Sequence, residues 1–410
     1  MSGIYGERMS QTFARRVASL AAAAFLSSLA ASGAATPAPK TPFTIDVIVS
    51  ATGASAFQGA QAIAAIKAVE SGINADGGIR GQPVHFEIHD DQTKPAVAVE
   101  IGSQILAKHP AIILGPIIQA TCNALAPIAG TATVEYCLSP GLIPEPRGYV
   151  FSSSASLVHV QPAQFRYART SGKLRVGIIV STDATGQRSD KQIDYTLHLP
   201  ENKSLVTVAY EHFNDNDISV AAQLARIKAA DPQFLYVSAS GTPFQTVLRG
   251  IMDAGLGKLL IVTSAANMES AMLAPWVKTP PDQLTFNGPR FWGTATDPDP
   301  RVKAAIASYH AAFVRVGAEM TPNDEFYWDP AQIAVDAYRH LGTGATAAQV
   351  HDYMENLHDF AGIAGLYDFR VGDQHGLGDD ATVVLQWDPV KSTFFPVSGP
   401  GGVALRKVSN

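Results

Sequence analysis

The 410-residue chain reads as an α/β protein built of two doubly wound, parallel-sheet lobes joined by a hinge of several crossings. Three observations predict this. Strand-like and helix-like segments alternate with a regular period. The alternation restarts after the Pro/Gly-rich stretch from Ser139 to Tyr149. Strand candidates such as Ala111-Ile112-Ile113-Leu114-Gly115 show no polar alternation, as expected of parallel strands buried on both faces.

The elements follow in order. Residues 1–35 form a signal peptide, with Arg15 and Arg16 ahead of an apolar run from Val17 to Ala31 and small residues Ser32-Gly33-Ala34-Ala35 for cleavage. That run is shorter than the roughly 20 residues needed to span a bilayer, and no later segment reaches that length. The first lobe takes residues 36–150, with strands at 43–50, 83–89, 111–115 and 134–138 and helices at 57–76, 94–108 and 121–131. Ile63, Ile66, Val69 and Ile73 recur at three- and four-residue steps, one buried helical stripe. Thr93 is placed to cap the second helix, with Pro95 in its first turn. After a crossing strand at Tyr149-Val150-Phe151, the second lobe takes residues 151–284. Its strands lie at 174–180, 205–210, 233–237 and 258–262, and its helices at 159–171, 187–197, 217–229, 243–254 and 267–273. Residues 285–410 return to the first lobe through a strand at 284–291, helices at 300–316, 327–341 and 347–358, and a terminal β pair (366–371 with 382–387).

The loop Ser50-Ala51-Thr52-Gly53-Ala54-Ser55, between the first strand and first helix, has the composition of an α/β ligand cradle. Net charge is only −6 and the basic residues are scattered, which argues against a nucleic-acid partner. Catalytic signatures are missing. Cys137-Leu138-Ser139-Pro140-Gly141 lacks the first glycine of a nucleophile elbow, and Gly257-Lys258-Leu259 has neither the spacing nor the hydroxyl of a phosphate loop. No metal or cofactor is expected: His85 and His89 read as a half-exposed strand face, and the acidic turn Asp373, Asp379 and Asp380 fits no calcium-loop spacing. The two cysteines, Cys122 and Cys137, form a disulfide worth about 3 kcal/mol on the chain-entropy estimate or stand as two buried thiols; the residues leave both open.

Several runs together resemble one family. These are Thr52-Gly53 with Gly59, the stretch from Ile73 to Val84 (Ile-Asn-Ala-Asp-Gly-Gly-Ile-Arg-Gly-Gln-Pro-Val), Asp90-Asp91, Gly115-Pro116, Ala126-Pro127, Ser139-Pro140, Ile227 to Pro232, and Asp253-Ala254-Gly255-Leu256. In this order they resemble type I periplasmic solute-binding proteins of ABC importers, in the leucine/isoleucine/valine-binding branch, over almost the whole mature chain. The resemblance implies a monomeric, non-catalytic, hinged periplasmic receptor. It would clamp a small-molecule ligand between the lobes and deliver it to an inner-membrane ABC permease. Its site would involve Thr52, Phe57, Gln58, Ile118, Gln119, Ala120, Thr121, Ser139, Gly141 and Leu142 from the first lobe, and Asp183, Thr185, Ser240 and Asn267 from the second.

The departures from the branch bear on the ligand. Where its amino-acid binders carry a serine run after Gly-Pro, this chain has Ile117-Ile118-Gln119-Ala120-Thr121. Where they carry an acidic residue for the ligand ammonium, it has Ala265. A buried ammonium without a partner costs several kcal/mol, so these changes point to an aromatic or short aliphatic acid rather than a free amino acid. The competing readings keep a branched-chain amino acid, with Asp183 or Glu269 in the acidic role, or make the chain a ligand sensor of the same fold. Phe326-Tyr327-Trp328 falls near a hinge-side helix start, where such aromatics pack in the core or line the cleft.

Overall fold

The structure, a computed structural model, describes residues 40–268 and 270–405. The expected signal peptide and Glu269 lie outside the described residues. β1 (Phe43–Val49) runs parallel to β2 (Val84–Asp90) over its whole length, from Phe43 opposite Val84 to Val49 opposite Asp90. With β3 (Ile112–Leu114), β4 (Val134–Cys137) and β5 (Val150–Ser152) it forms a five-stranded parallel sheet, ordered β2-β1-β3-β4-β5. Successive side chains point to opposite faces of a strand. Ile48 and Ile113 therefore meet Ile105 of α2 (Pro95–Leu106) and Leu125 of α3 (Gln119–Ala129). Val47, Leu114 and Tyr136 meet Ile66, Val69 and Ile73 of α1 (Ala56–Ala75) on the other face.

The second sheet has seven strands. β6 (Arg175–Ser181), β7 (Val206–Phe213), β8 (Phe234–Ser238), β9 (Leu260–Thr263) and β10 (Gln283–Pro289) are parallel. α4 (Leu157–Thr170) and α5 (Ala184–His198) cover one face through Phe165 and Ile193. α6 (Ala221–Ala229) and α7 (Gly241–Asp253) cover the other through Leu224, Ile227, Phe244 and Val247. A short α8 (Ser270–Leu273) follows β9. No helix among the described residues is long and apolar enough to cross a membrane.

The expected return at residue 285 is corrected. β10 stays in the second sheet beside β9, and the chain rejoins the first lobe's core only at Phe291. α9 (Pro300–Val316) then packs on α1, followed by α10 (Glu325–Leu341) and α11 (Ala347–Asn356). The terminal pairing of 366–371 with 382–387 is also overturned. β12 (Leu366–Asp368) pairs with β11 (His358–Ala361), whereas β13 (Thr382–Asp388) crosses back to lie antiparallel to β10, with β14 (Thr393–Pro396) outside it. The stretch 372–380 exceeds the about two to five residues of an ordinary hairpin loop. Val383, Val384 and Leu385 are fully buried and need cover on both faces, which the edge of the larger sheet provides. Thr93 is not the cap of α2; Lys94 holds that position without a side-chain bond, while the Thr93 hydroxyl accepts from the Ser55 N–H at 3.0 Å.

Candidate functional site

The loops that leave the C-terminal ends of β1, β3 and β4 build the first lobe's part of the site. The β1 loop is held down by the two acids that end β2. Ser50 donates its hydroxyl to Asp91 at 2.6 Å, and Thr52 donates its N–H and hydroxyl to Asp90 at 3.1 and 2.6 Å. These two carboxylates thus anchor the cradle, and the Thr52 hydroxyl is committed to Asp90. A side chain at Gly59 would run into the Ser50 carbonyl, and one at Gly186 into that of Ser181. Both lobes therefore need a glycine where the helix that follows β1 or β6 presses on that strand's end.

A cavity of about 230 Å³ opens on these loops. Gln58 contributes from α1, Ile117, Ile118 and Gln119 from the β3–α3 loop, and Leu138, Ser139 and Pro140 from the end of β4. Asn323, Phe326 and Tyr327 come from the approach to α10. Four of the predicted residues (Gln58, Ile118, Gln119 and Ser139) are thus brought together, with Gly141 close to the Gln119 amide. Others are not. Thr121 is buried and donates its hydroxyl to the Ile118 carbonyl at 2.9 Å. Leu142 packs on Cys122 and Cys137. Ala120 is exposed beside the wall, and Phe57 is 78 % exposed outside it. Cys122 and Cys137 are joined by a disulfide with 5.8 Å between Cα atoms, fastening α3 to β4, the two segments that present Gln119 and Ser139.

α3 begins without a side-chain cap, because Ile118 occupies the cap position. Thr121 and Cys122 N–H groups bond to the Ile118 carbonyl, and the first-turn amides of Gln119 and Ala120 remain as donors at the positive end of the helix. At the start of α10 two acids are buried. Burial pushes the Glu325 carboxyl up to about 8, while it accepts from the Ser154 hydroxyl at 2.7 Å. Burial likewise raises Asp329, to about 6, against hydrogen bonds from the Ala364 and Ile363 amides and the Tyr367 hydroxyl.

The second-lobe candidates line no part of this cavity. Asp183 caps α5, accepting from the Gly186 N–H and the Ser181 hydroxyl, both at 2.7 Å. Thr185 lies in the first turn of α5 and its side chain is outside the described residues. Ser240 is exposed at the start of α7 and forms no cap bond. Asn267 is fully buried; its amide donates to the Ala239 carbonyl and the Thr263 hydroxyl, tying two loops together. A larger groove of about 680 Å³ starts beside Ser240 and follows one face of α7 past Gln245 and Arg249 to Met272 and Trp276. Sequence reasoning missed that groove and Asn323. On the far edge of the first sheet, Asp46, Glu87 and His89 come within metal-ligand distance of one another. Lys108 sits among them, 3.1 Å from Asp46 and 3.7 Å from Glu87, and supplies the positive charge itself.

Comparison with known families settles what kind of protein carries this site. The family described as "Periplasmic binding protein" matches residues 42–392. The chain belongs to the periplasmic binding protein family. It is a type I member of the leucine/isoleucine/valine-binding type, and the family's members are solute-binding receptors. Among solved structures, a putative branched-chain amino acid ABC transporter from Rhodospirillum rubrum aligns with a TM-score of 0.71 at 18 % identity, over 87 % of this chain and 100 % of that one. An ABC transporter substrate-binding protein from Sphaerobacter thermophilus gives 0.68 at 16 %, over 89 % and 100 %. An extracellular ligand-binding receptor from Rhodopseudomonas palustris HaA2 gives 0.65 at 19 %, over 87 % and 100 %. At these identities the likeness is one of fold. No curated protein matches the chain.

Proposed function

We propose that this periplasmic binding protein is the exported, monomeric receptor of an ABC importer. It carries a small aromatic or aliphatic carboxylic acid rather than a free amino acid, and hands it unaltered to a membrane permease. The observation that supports this ligand class is the cavity wall, where no carboxylate, ammonium, guanidinium or imidazole is present. A zwitterion bound there would bury its ammonium without a counter-charge, at a cost of several kcal/mol. A carboxylate needs no cation, because the uncapped α3 start offers amide donors and a partial positive charge. Asp183, the second-lobe acid of the competing reading, caps its own helix. A thermal-shift panel tests the reading. Benzoate or hexanoate in large excess should raise Tm by a few degrees, as linkage requires of a ligand that binds only the folded state, and leucine and valine should not. Stabilisation by leucine or valine alone would overturn it.

A further inference from the structure

Tyr327 is 3 % exposed and packed into the first lobe's core, yet it forms part of the cavity wall. Its hydroxyl forms no hydrogen bond among the described residues, and unlike that of Tyr136 it is not sealed from solvent. Buried tyrosine hydroxyls ordinarily find a partner, since an unmatched one forfeits its hydration for nothing. The neighbouring Asn323 amide is turned to Gln61, at 3.3 Å, and leaves the phenol unmatched. The amide donors that begin α3 come from a different segment of the cavity wall.

We propose that Tyr327 is a specificity residue, selecting acids that carry a second hydrogen-bonding oxygen: a hydroxylated aromatic or aliphatic carboxylate. The inference rests on the acid-receptor reading above and adds the second oxygen to it. A site with a buried polar group waiting for a ligand hydroxyl rejects the analogue that lacks it, because the group is then left unpaired.

The test is calorimetric titration of the wild type and Y327F with benzoate, 4-hydroxybenzoate, hexanoate, 6-hydroxyhexanoate and leucine. The wild type should bind one hydroxy acid about tenfold or more tighter than its parent. Y327F should lose that preference to within about twofold. Its ligand-free Tm should equal or exceed that of the wild type, because phenylalanine leaves no partner stranded. Equal affinity of the wild type for hydroxy and parent acids, a preference that survives in Y327F, or no binding of either hydroxy acid would overturn the role of Tyr327. Binding of the parent acids in those cases leaves the acid-receptor reading intact. Binding of leucine and none of the acids removes both.

Discussion

His159, near the start of α4, reaches out of the second lobe toward the turn that ends the first. Its ring lies 2.8 Å from Asp379 and 3.7 Å from Asp373, and Arg166 meets the other Asp379 oxygen at 2.8 Å. Arg290 pairs with Asp380 at 2.7 Å, so the acidic turn is matched by side-chain cations. The Asp373 and Asp379 carboxylates raise His159 from 6.5 to about 9. A raised histidine stabilises fully below its unfolded pKa and loses that contribution as pH rises through the folded one. Between pH 7 and 10 the wild type should therefore lose on the order of 2 kcal/mol that an H159Q variant never had, read as converging urea midpoints. Parallel pH profiles for the two proteins would contradict this. Other single residues were less legible in sequence. Thr121 looks like a ligand hydroxyl until helix geometry turns it back to the Ile118 carbonyl, and Leu142 looks like a pocket wall until the disulfide claims it. Tyr327 and Trp328 are adjacent aromatics packed in the same core, and only the pitch of α10 brings Tyr327 to the cavity wall as well.

At the scale of elements, the wall of the cavity depends on α3 and β4 keeping their spacing, and the Cys122–Cys137 bridge closes a separation of 15 residues between them. Replacing both cysteines by serine should cost about 3 kcal/mol of stability on the loop-entropy estimate. It should also weaken ligand binding more than it slows association, since Gln119 and Ser139 lose their common anchor. Unchanged affinity in the double variant would show that the wall is held by packing alone. Periodicity gave the helices and most strands because buried stripes recur along each segment, α9 (Pro300–Val316) matching its expected span end to end. It failed for β10 and β13, whose apolar runs state how deeply a strand is buried and not which sheet buries it. The pairing of β13 with β10 is set by long-range contacts that no local pattern encodes.

In the whole molecule, two sheets of like build are linked where the chain passes between lobes after β5, after β10 and again before β13. This duplicated α/β plan was readable from the restart after residue 139, and the family match over 42–392 agrees with it. The candidate half-site was only partly readable, because it draws on Asn323 and Tyr327, distant in sequence from the loops they join. On the proposed function, these lobes carry a small acid and release it unchanged. Mass spectrometry of solute released by denaturing protein purified without added ligand tests that most directly. The expected result is a carboxylic acid lacking an amino group, up to one per chain and recovered intact after prolonged incubation with the native protein. Recovery of a free amino acid, or conversion of the bound compound during that incubation, would contradict the account.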